Sequence, residues 1–232
     1  MKREFELRIF VSLSIVAVVC ALSAFVFQGR ASTAVLIGAH FGADAASAGR
    51  VTYLALAAVM LLLSLLRMWA GSELSARRVM AFRVQADELH TAGPYLLVRN
   101  PIYLADLLAM CGFGLCLPWP ALAMPLLFLV HYLRLIRYEE QSLGDGFRES
   151  YNRYARSVPR LFPSVQSLAA FPAALRNFRI SAEGVRHNAL YVLFIPGFLA
   201  AAWADDFLYA ALIGIPGVLD WAIVHTKIGV HA

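Results

Sequence analysis

The stretch Gly93-Pro94-Tyr95-Leu96-Leu97-Val98-Arg99-Asn100-Pro101-Ile102-Tyr103 opens the part of the chain that decides its fold, which ends at Val158-Pro159-Arg160-Leu161-Phe162-Pro163. Between them lie two apolar segments, 101–117 and 119–138, separated by the turn Pro118-Trp119-Pro120. A turn this short makes two helices antiparallel neighbours. We therefore expect polar residues from both ends of this hairpin to meet at one mouth: Arg99, Asn100, Tyr103, Arg137, Glu139 and Glu140.

Composition places the chain in a membrane. Of its 232 residues, 60% are hydrophobic and only 15% are charged, whereas soluble domains average about 45–50% and about 25%. Six apolar segments approach the roughly 20 residues that cross a bilayer: 7–27, 51–69, 101–117, 119–138, 188–204 and 207–225. The sequence predicts an all-α polytopic membrane bundle of about six transmembrane helices. We treat 1–232 as one integral membrane domain, with N-terminal spans and a loop (1–92), a core (93–163), and a surface segment with two C-terminal spans (164–232).

Several local patterns predict irregularities in this bundle. Pro125 predicts a kink in the fourth span, and 31–50 reads as a small-residue loop. Gly144-Asp145-Gly146 predicts a break before a helix from Phe147 to Tyr154, which would either lie on lipid headgroups or cover the hairpin mouth. Gly112-Phe113-Gly114 predicts a close helix-packing point.

Basic residues are distributed unequally between the two sides of the predicted bundle. One side, comprising the N-terminus, 70–100, 134–187 and the C-terminus, with Arg67 at its border, carries 18 lysines and arginines, against two on the other. The positive-inside rule predicts a multi-pass protein of the bacterial plasma membrane, with both termini and the hairpin mouth cytoplasmic. The pI of about 9.3 then reflects topology and contact with lipid headgroups; we expect no nucleic acid and no obligate protein partner.

Cysteines and histidines predict no metal site. The three cysteines lie in apolar segments without CxxC spacing, and the six histidines lack HxxxH or HExxH spacing.

The hairpin mouth suits a zwitterionic ligand. The helix beginning at Pro101 presents free N–H groups and a positive dipole end to an anion, and Arg99 adds a cation. Glu139 and Glu140 suit an ammonium group, while Tyr95, Tyr103 and Tyr138 suit an adenine or a sulfonium. The alternative is that Arg99 and Arg137 pair with the glutamates and only hold the hairpin shut.

These motifs resemble those of the membrane methyltransferases that include isoprenylcysteine carboxyl methyltransferases and phospholipid N-methyltransferases. The resemblance rests on Gly-Pro-Tyr, Arg-Asn-Pro-Ile-Tyr, Glu-Glu, Tyr-x-x-Tyr and Val-Pro-Arg, in that order, over about a third of the chain. It implies S-adenosylmethionine as cofactor and a lipophilic or lipid acceptor taken from the bilayer. The implied cofactor contacts are Tyr95, Arg99, Asn100, Pro101, Tyr103, Glu139 and Glu140.

The resemblance also implies an acceptor side shaped by Tyr151, Tyr154 and Arg160. Two positions depart from the family pattern: Asn100 replaces a histidine and Ala105 a glycine. Asparagine cannot act as a general base.

A carboxylate acceptor, as in the isoprenylcysteine enzymes, would need a cation such as Arg160 or Arg137; an amine acceptor would need a glutamate or tyrosine as base.

Two rival functions remain open from the sequence. Membrane sterol reductases that use NADPH have a related hairpin with an acid three positions after the tyrosine, where Asp106 stands here. A non-catalytic membrane protein of the same fold is the other.

Two aspartates lie within predicted spans, where a charge is costly. Asp106 follows Tyr103 on one helix face, which predicts that it lines the deeper, acceptor end of the site; alternatively it bonds a neighbouring helix. We expect Asp106→Asn to keep the fold and cofactor affinity but to weaken turnover. Asp220 we interpret as an interfacial residue.

Overall fold

The bundle is built entirely from helices over the residues that the structure describes. The structure is a computed structural model that describes residues 2–74, 89–176 and 178–231. It is 79% helical and, within those ranges, contains no strand, which confirms the predicted all-α class. Residues 75–88, part of the basic segment expected on the cytoplasmic side, lie outside the described ranges.

Three helices are long and apolar enough to cross a membrane: Arg8–Val26, Ala45–Glu73 and Trp119–Ser157. Three shorter apolar helices, Pro101–Cys116, Phe194–Ala204 and Leu208–Ile223, cover the remaining predicted spans. Short helices lie between and beside these: Lys2–Glu6, Thr33–His40, Val165–Leu168, Phe171–Leu175 and Ala182–Asn188. The chain is therefore an integral membrane protein, as its composition predicts.

Side-chain caps explain why the predicted loop at 31–50 is mostly helical. Ser32 accepts a hydrogen bond from the Val35 N–H at 3.3 Å, and Asp44 accepts one from Ser47 at 2.9 Å. Such caps satisfy N–H groups that have no partner within the helix. The second span therefore begins at Ala45, ahead of the predicted position 51.

Of the two irregularities predicted in the fourth span, the kink at Pro125 is wrong and the break near Gly146 is displaced along the chain. Pro125 lies in the first turn of Ala123–Ser157, where its missing N–H costs no hydrogen bond, so it causes no kink. The helix also runs through Gly144-Asp145-Gly146. Its backbone leaves the helical region two residues later, at Arg148 (φ 38°, ψ −103°), so the kink falls inside the predicted Phe147–Tyr154 helix.

The hairpin packs closely against the second span. The first hairpin helix, Pro101–Cys116, lies against Ala45–Glu73, where a Cβ on Gly112 would come within 2.7 Å of the Leu56 side chain. This confirms the predicted close-packing point. The core continues from Phe5 through the hairpin to Ala210, so the C-terminal spans share it.

Candidate functional site

A cavity of about 250 Å³ opens at the mouth of the hairpin. Its lining includes all seven residues predicted to contact a cofactor: Tyr95, Arg99, Asn100, Pro101, Tyr103, Glu139 and Glu140. Asp106, Tyr151 and Tyr154 also line it, together with the N-terminal helix at Phe5 and Arg8. The hairpin turn therefore brings these side chains to one cavity, as predicted, while their roles stay predictions.

Arg99 ties three segments together at the mouth. Its Nε and Nη2 donate to Glu140 Oε1 at 3.0 and 2.7 Å, and its Nη1 donates to the carbonyls of Ala155 and Val158 at 2.7 and 3.0 Å. Both side chains of the ion pair are largely buried, at 11% and 12% exposure. The Arg99–Glu140 pair thus does hold the hairpin shut, as the alternative interpretation expects, and it does so at the cavity wall.

The Val-Pro-Arg motif is bonded directly to Arg-Asn-Pro. The Arg99 N–H donates to the Pro159 carbonyl and the Asn100 side-chain amide donates to the Arg160 carbonyl, each at 2.9 Å. Arg160 Nη2 lies 2.7 Å from Glu140 Oε2. Asn100 therefore fixes the chain that follows the kinked helix, a role that needs a hydrogen-bond donor and no proton transfer.

Tyrosine hydroxyls orient the remaining polar groups. Tyr103 donates to Glu139 Oε1 at 2.7 Å, and Tyr154 donates to the Tyr95 carbonyl at 2.8 Å. Burial raises the pKa of the Tyr95 side chain well above its usual range, so the Tyr95 hydroxyl stays protonated. The Tyr103 ring lies 4.8 Å from that of Tyr132, which continues the wall toward the membrane interior.

A buried ion pair closes the deep end of the cavity. Arg67, only 2% exposed, donates to Asp106 Oδ1, which also accepts from the Tyr191 hydroxyl at 2.7 Å. Tyr132 donates to Asp106 Oδ2 at 3.4 Å. Asp106 thus lines the cavity and also bonds neighbouring helices, while its role toward an acceptor stays a prediction.

Arg67 and Tyr191 are site residues that the sequence analysis missed. Arg67 is expected at the border of the cytoplasmic side, which stays a prediction; its guanidinium lies in the core against Asp106. The available signal was an arginine and an aspartate in separate apolar segments, since opposite charges at membrane depth usually pair. Tyr191 carried no such signal.

Four residues from the sequence analysis lie outside the cavity lining. Arg137 and Asp220 are exposed, and Tyr138 packs against the ring of Phe5 at 5.6 Å. Arg160 is 42% exposed and reaches the site only through Glu140. A catalytic cation at Arg137 therefore has no geometric support.

The lining suits a ligand with both charges and a flat or cationic group. It contains three carboxylates, three arginines and five tyrosines: Asp106, Glu139, Glu140, Arg8, Arg67, Arg99, Tyr95, Tyr103, Tyr132, Tyr151 and Tyr154. Tyrosine rings attract cations such as a sulfonium. The volume lies just under the roughly 300–1,000 Å³ of typical ligand pockets. These residues fit S-adenosylmethionine in charge and in chemistry.

The fold and cavity define an integral membrane protein whose helical hairpin carries a polar, ligand-sized site. Residues 48–150 match the family described as phospholipid methyltransferase. This segment, less than half of the chain, is therefore similar to that family, which confirms the resemblance drawn from the motifs.

Two curated bacterial relatives match part of the chain. One is the cobalt-zinc-cadmium resistance protein CzcN of Cupriavidus metallidurans, 33% identical over 99 residues, which are 42% of this chain and 42% of the relative. The other is the nickel-cobalt-cadmium resistance protein NccN of Alcaligenes xylosoxydans xylosoxydans, 32% identical over 42% of this chain and 43% of the relative. The matches thus cover less than half the length of either relative. No solved structure matches the chain significantly.

Proposed function

We propose that this protein transfers a methyl group from S-adenosylmethionine to a lipophilic acceptor that enters from the bilayer. The observation that carries the proposal is the convergence of Arg99, Glu139 and Glu140 with tyrosine rings on one cavity, within a segment that matches a methyltransferase family. When bound, the cofactor supplies an electrophilic methyl group on a positively charged sulfur. Glu139 and the rings of Tyr95 and Tyr103 would hold its cationic portions, and Arg99 its carboxylate.

The chain's own contribution is positioning and exclusion of water. The Arg99–Glu140 pair fixes the distance between the hairpin and the segment after the kink. The Tyr154 hydroxyl holds the Tyr95 backbone, so the turn at 93–96 cannot move independently of that segment. Orientation of two reactants in a site closed to water is sufficient to accelerate a displacement of this type strongly.

The charge pattern of the lining favours an amine acceptor over a carboxylate such as that of an isoprenylcysteine. A carboxylate acceptor needs an uncommitted cation. No lining arginine is left for an acceptor: Arg99 is assigned to the cofactor's carboxylate, Arg67 is paired with Asp106, and Arg8 donates to the Phe5 carbonyl at 3.0 Å. The three lining carboxylates are also bonded, Glu140 to Arg99, Asp106 to Arg67 and Glu139 to Tyr103. A carboxylate can accept several hydrogen bonds, however, so an amine acceptor could still donate to one of them and pass its proton to it. We therefore place phospholipid-type N-methylation ahead of carboxyl O-methylation.

Titration calorimetry with S-adenosylhomocysteine tests the cofactor directly. We expect a dissociation constant in the micromolar range, about −8 kcal/mol. NADPH is the matched comparison, because the rival reductase function requires it. Binding of NADPH without S-adenosylhomocysteine would reject the methyltransferase proposal, and binding of neither would favour a non-catalytic protein.

Radiolabelled S-adenosylmethionine then distinguishes the acceptors. Purified protein in vesicles should label amine-bearing lipids, and chemical acetylation of those amines should abolish the transfer. Label that is released as methanol by mild base would identify a carboxyl ester and reject the amine.

We further propose that the cavity opens toward the cytoplasm, on the basis of the charge asymmetry. A cysteine-free variant carrying Asp145→Cys should resist an impermeant maleimide added to intact cells. Ala46→Cys, exposed at the other end of the bundle, is the control and should react. The opposite labelling pattern would invert this topology.

A further inference from the structure

A row of exposed apolar side chains lies outside the spans, between residues 162 and 178. Its members recur every three or four residues, and each exposes between 42% and 86% of its surface: Phe162, Val165, Leu168, Phe171, Leu175 and Phe178. Two short helices, Val165–Leu168 and Phe171–Leu175, carry most of them. We call these six side chains the 162–178 surface. Exposed apolar rows of this size mark a contact with a membrane or another molecule.

The charges around this surface identify the partner as an anionic lipid layer. Every charged residue from 160 to 180 is an arginine: Arg160, Arg176 and Arg179. Arg176 is exposed, and Arg179 exposes 71% of its side chain, with its Nε 4.0 Å from Glu73 Oε1. Apolar side chains flanked by arginines suit the boundary between acyl chains and anionic headgroups. A protein partner would not require this uniform sign of charge.

The 162–178 surface is also joined to the cavity wall. The Phe178 ring contacts Trp69 at 5.2 Å between centroids. The Trp69 indole nitrogen lies 3.1 Å from where a Cβ on Gly93 would be, and Gly93 begins the turn that carries Tyr95. The preceding Arg160 pairs with Glu140. A membrane contact here therefore bears on the cavity mouth from outside.

We propose that the 162–178 surface binds the headgroup layer of an anionic membrane face, with its apolar row among the upper acyl chains and Arg176 and Arg179 on lipid phosphates. This binding does not depend on methyl transfer, because it uses none of the groups assigned to the cofactor or the acceptor.

Depth-dependent fluorescence in vesicles tests the proposal on the full chain. The three native cysteines are replaced by alanine, and an environment-sensitive fluorophore is attached at Val165→Cys or, as a matched control, at the exposed neighbour Gln166→Cys. Vesicles contain phosphatidylcholine alone or with phosphatidylglycerol. Quenchers are a doxyl-labelled lipid and soluble iodide. Arg176→Gln combined with Arg179→Gln tests the charge.

We expect the lipid quencher to act several-fold more strongly at position 165 than at 166, and iodide to show the reverse preference. Phosphatidylglycerol should shift the emission at 165 to shorter wavelength, and the double glutamine variant should lose that response. Equal iodide quenching at both positions would show that the surface faces water and overturn the proposal. Protection of 165 from both quenchers would indicate a protein contact instead, and emission that is indifferent to phosphatidylglycerol would reject the anionic partner.

Discussion

Replacement of Asp106 by asparagine should strongly destabilise the bundle, because it leaves the Arg67 guanidinium buried without its counter-charge. Arg67 is 2% exposed, and Asp106 is its ion-pair partner. Removing one member of a buried pair costs about 3–5 kcal/mol. For a chain of this length that corresponds to a fall in melting temperature on the order of 10 °C. The sequence alone predicts that this variant folds normally, and the buried partner reverses that prediction.

Combining Asp106→Asn with Arg67→Met separates loss of the charge pair from loss of the carboxylate itself. The double variant buries no charge at this position, so it should recover about half or more of the lost stability, a coupling of roughly 2 kcal/mol. Asp220→Asn is the control, because that aspartate is exposed. Melting would be followed in detergent by tryptophan fluorescence and by recovery of monodisperse protein after heating.

Two results would refute this reasoning. If Asp106→Asn melts within about 2 °C of the parent chain, the Arg67–Asp106 pair contributes far less to stability than a buried ion pair should. If the double variant is as unstable as the single one, the stability comes from the hydrogen bonds of Tyr132 and Tyr191 to Asp106, and the Arg67 charge is incidental.

Three further substitutions test the site and its packing. Arg99→Lys keeps the charge but cannot reproduce the forked pairing, so S-adenosylhomocysteine affinity should fall about 10- to 100-fold, whereas exposed Arg137→Lys should leave it unchanged; unchanged affinity in both would exclude Arg99. Tyr103→Phe removes a hydrogen bond to a buried carboxylate, worth about 1.5–3 kcal/mol, and should weaken the same binding by about tenfold or more; parental affinity would show that this bond does not support the site. Gly71→Ala overlaps the Asn188 side chain and should cost about 1–3 kcal/mol, while Gly144→Ala meets its nearest atom at 3.8 Å and should be neutral or stabilising in thermal melts; the reverse order would contradict the helix packing.

The mouth of the site was predictable from sequence because it depends on one short connection. Pro118-Trp119-Pro120 permits only a tight return of the chain, and a tight return brings Arg99 to Glu140. The exact position of the kink in the fourth span was not predictable. Glycines at 144 and 146 favour a break there, yet the helix tolerates both and bends at Arg148, where the chain must turn to place Val-Pro-Arg against Arg99. Tertiary contacts overrode local preference.

The deep end was hidden for a different reason. Arg67, Asp106 and Tyr191 lie on three separate parts of the chain. Hydropathy shows that each segment is apolar, but it does not show which helix faces contact each other. An arginine at the end of an apolar run satisfies the positive-inside rule equally well whether it faces lipid headgroups or the protein core. Only the packing of Ala45–Glu73 against the hairpin distinguishes the two, and that packing depends on close contacts such as Gly112 with Leu56.

The family match and the site cover different parts of the chain. The motifs at 93–163 describe the mouth, whereas the match spans 48–150 and includes Arg67 on the helix Ala45–Glu73, the counter-charge of Asp106. Tyr191, which also bonds Asp106, lies beyond the match. The buried ion pair and the hairpin part of the mouth thus fall within the matched segment, whereas Tyr151, Tyr154 and part of the deep end lie beyond it. If cofactor binding resides at the mouth, proteins that share the 48–150 segment can keep it while the C-terminal spans adapt the deep end to different acceptors.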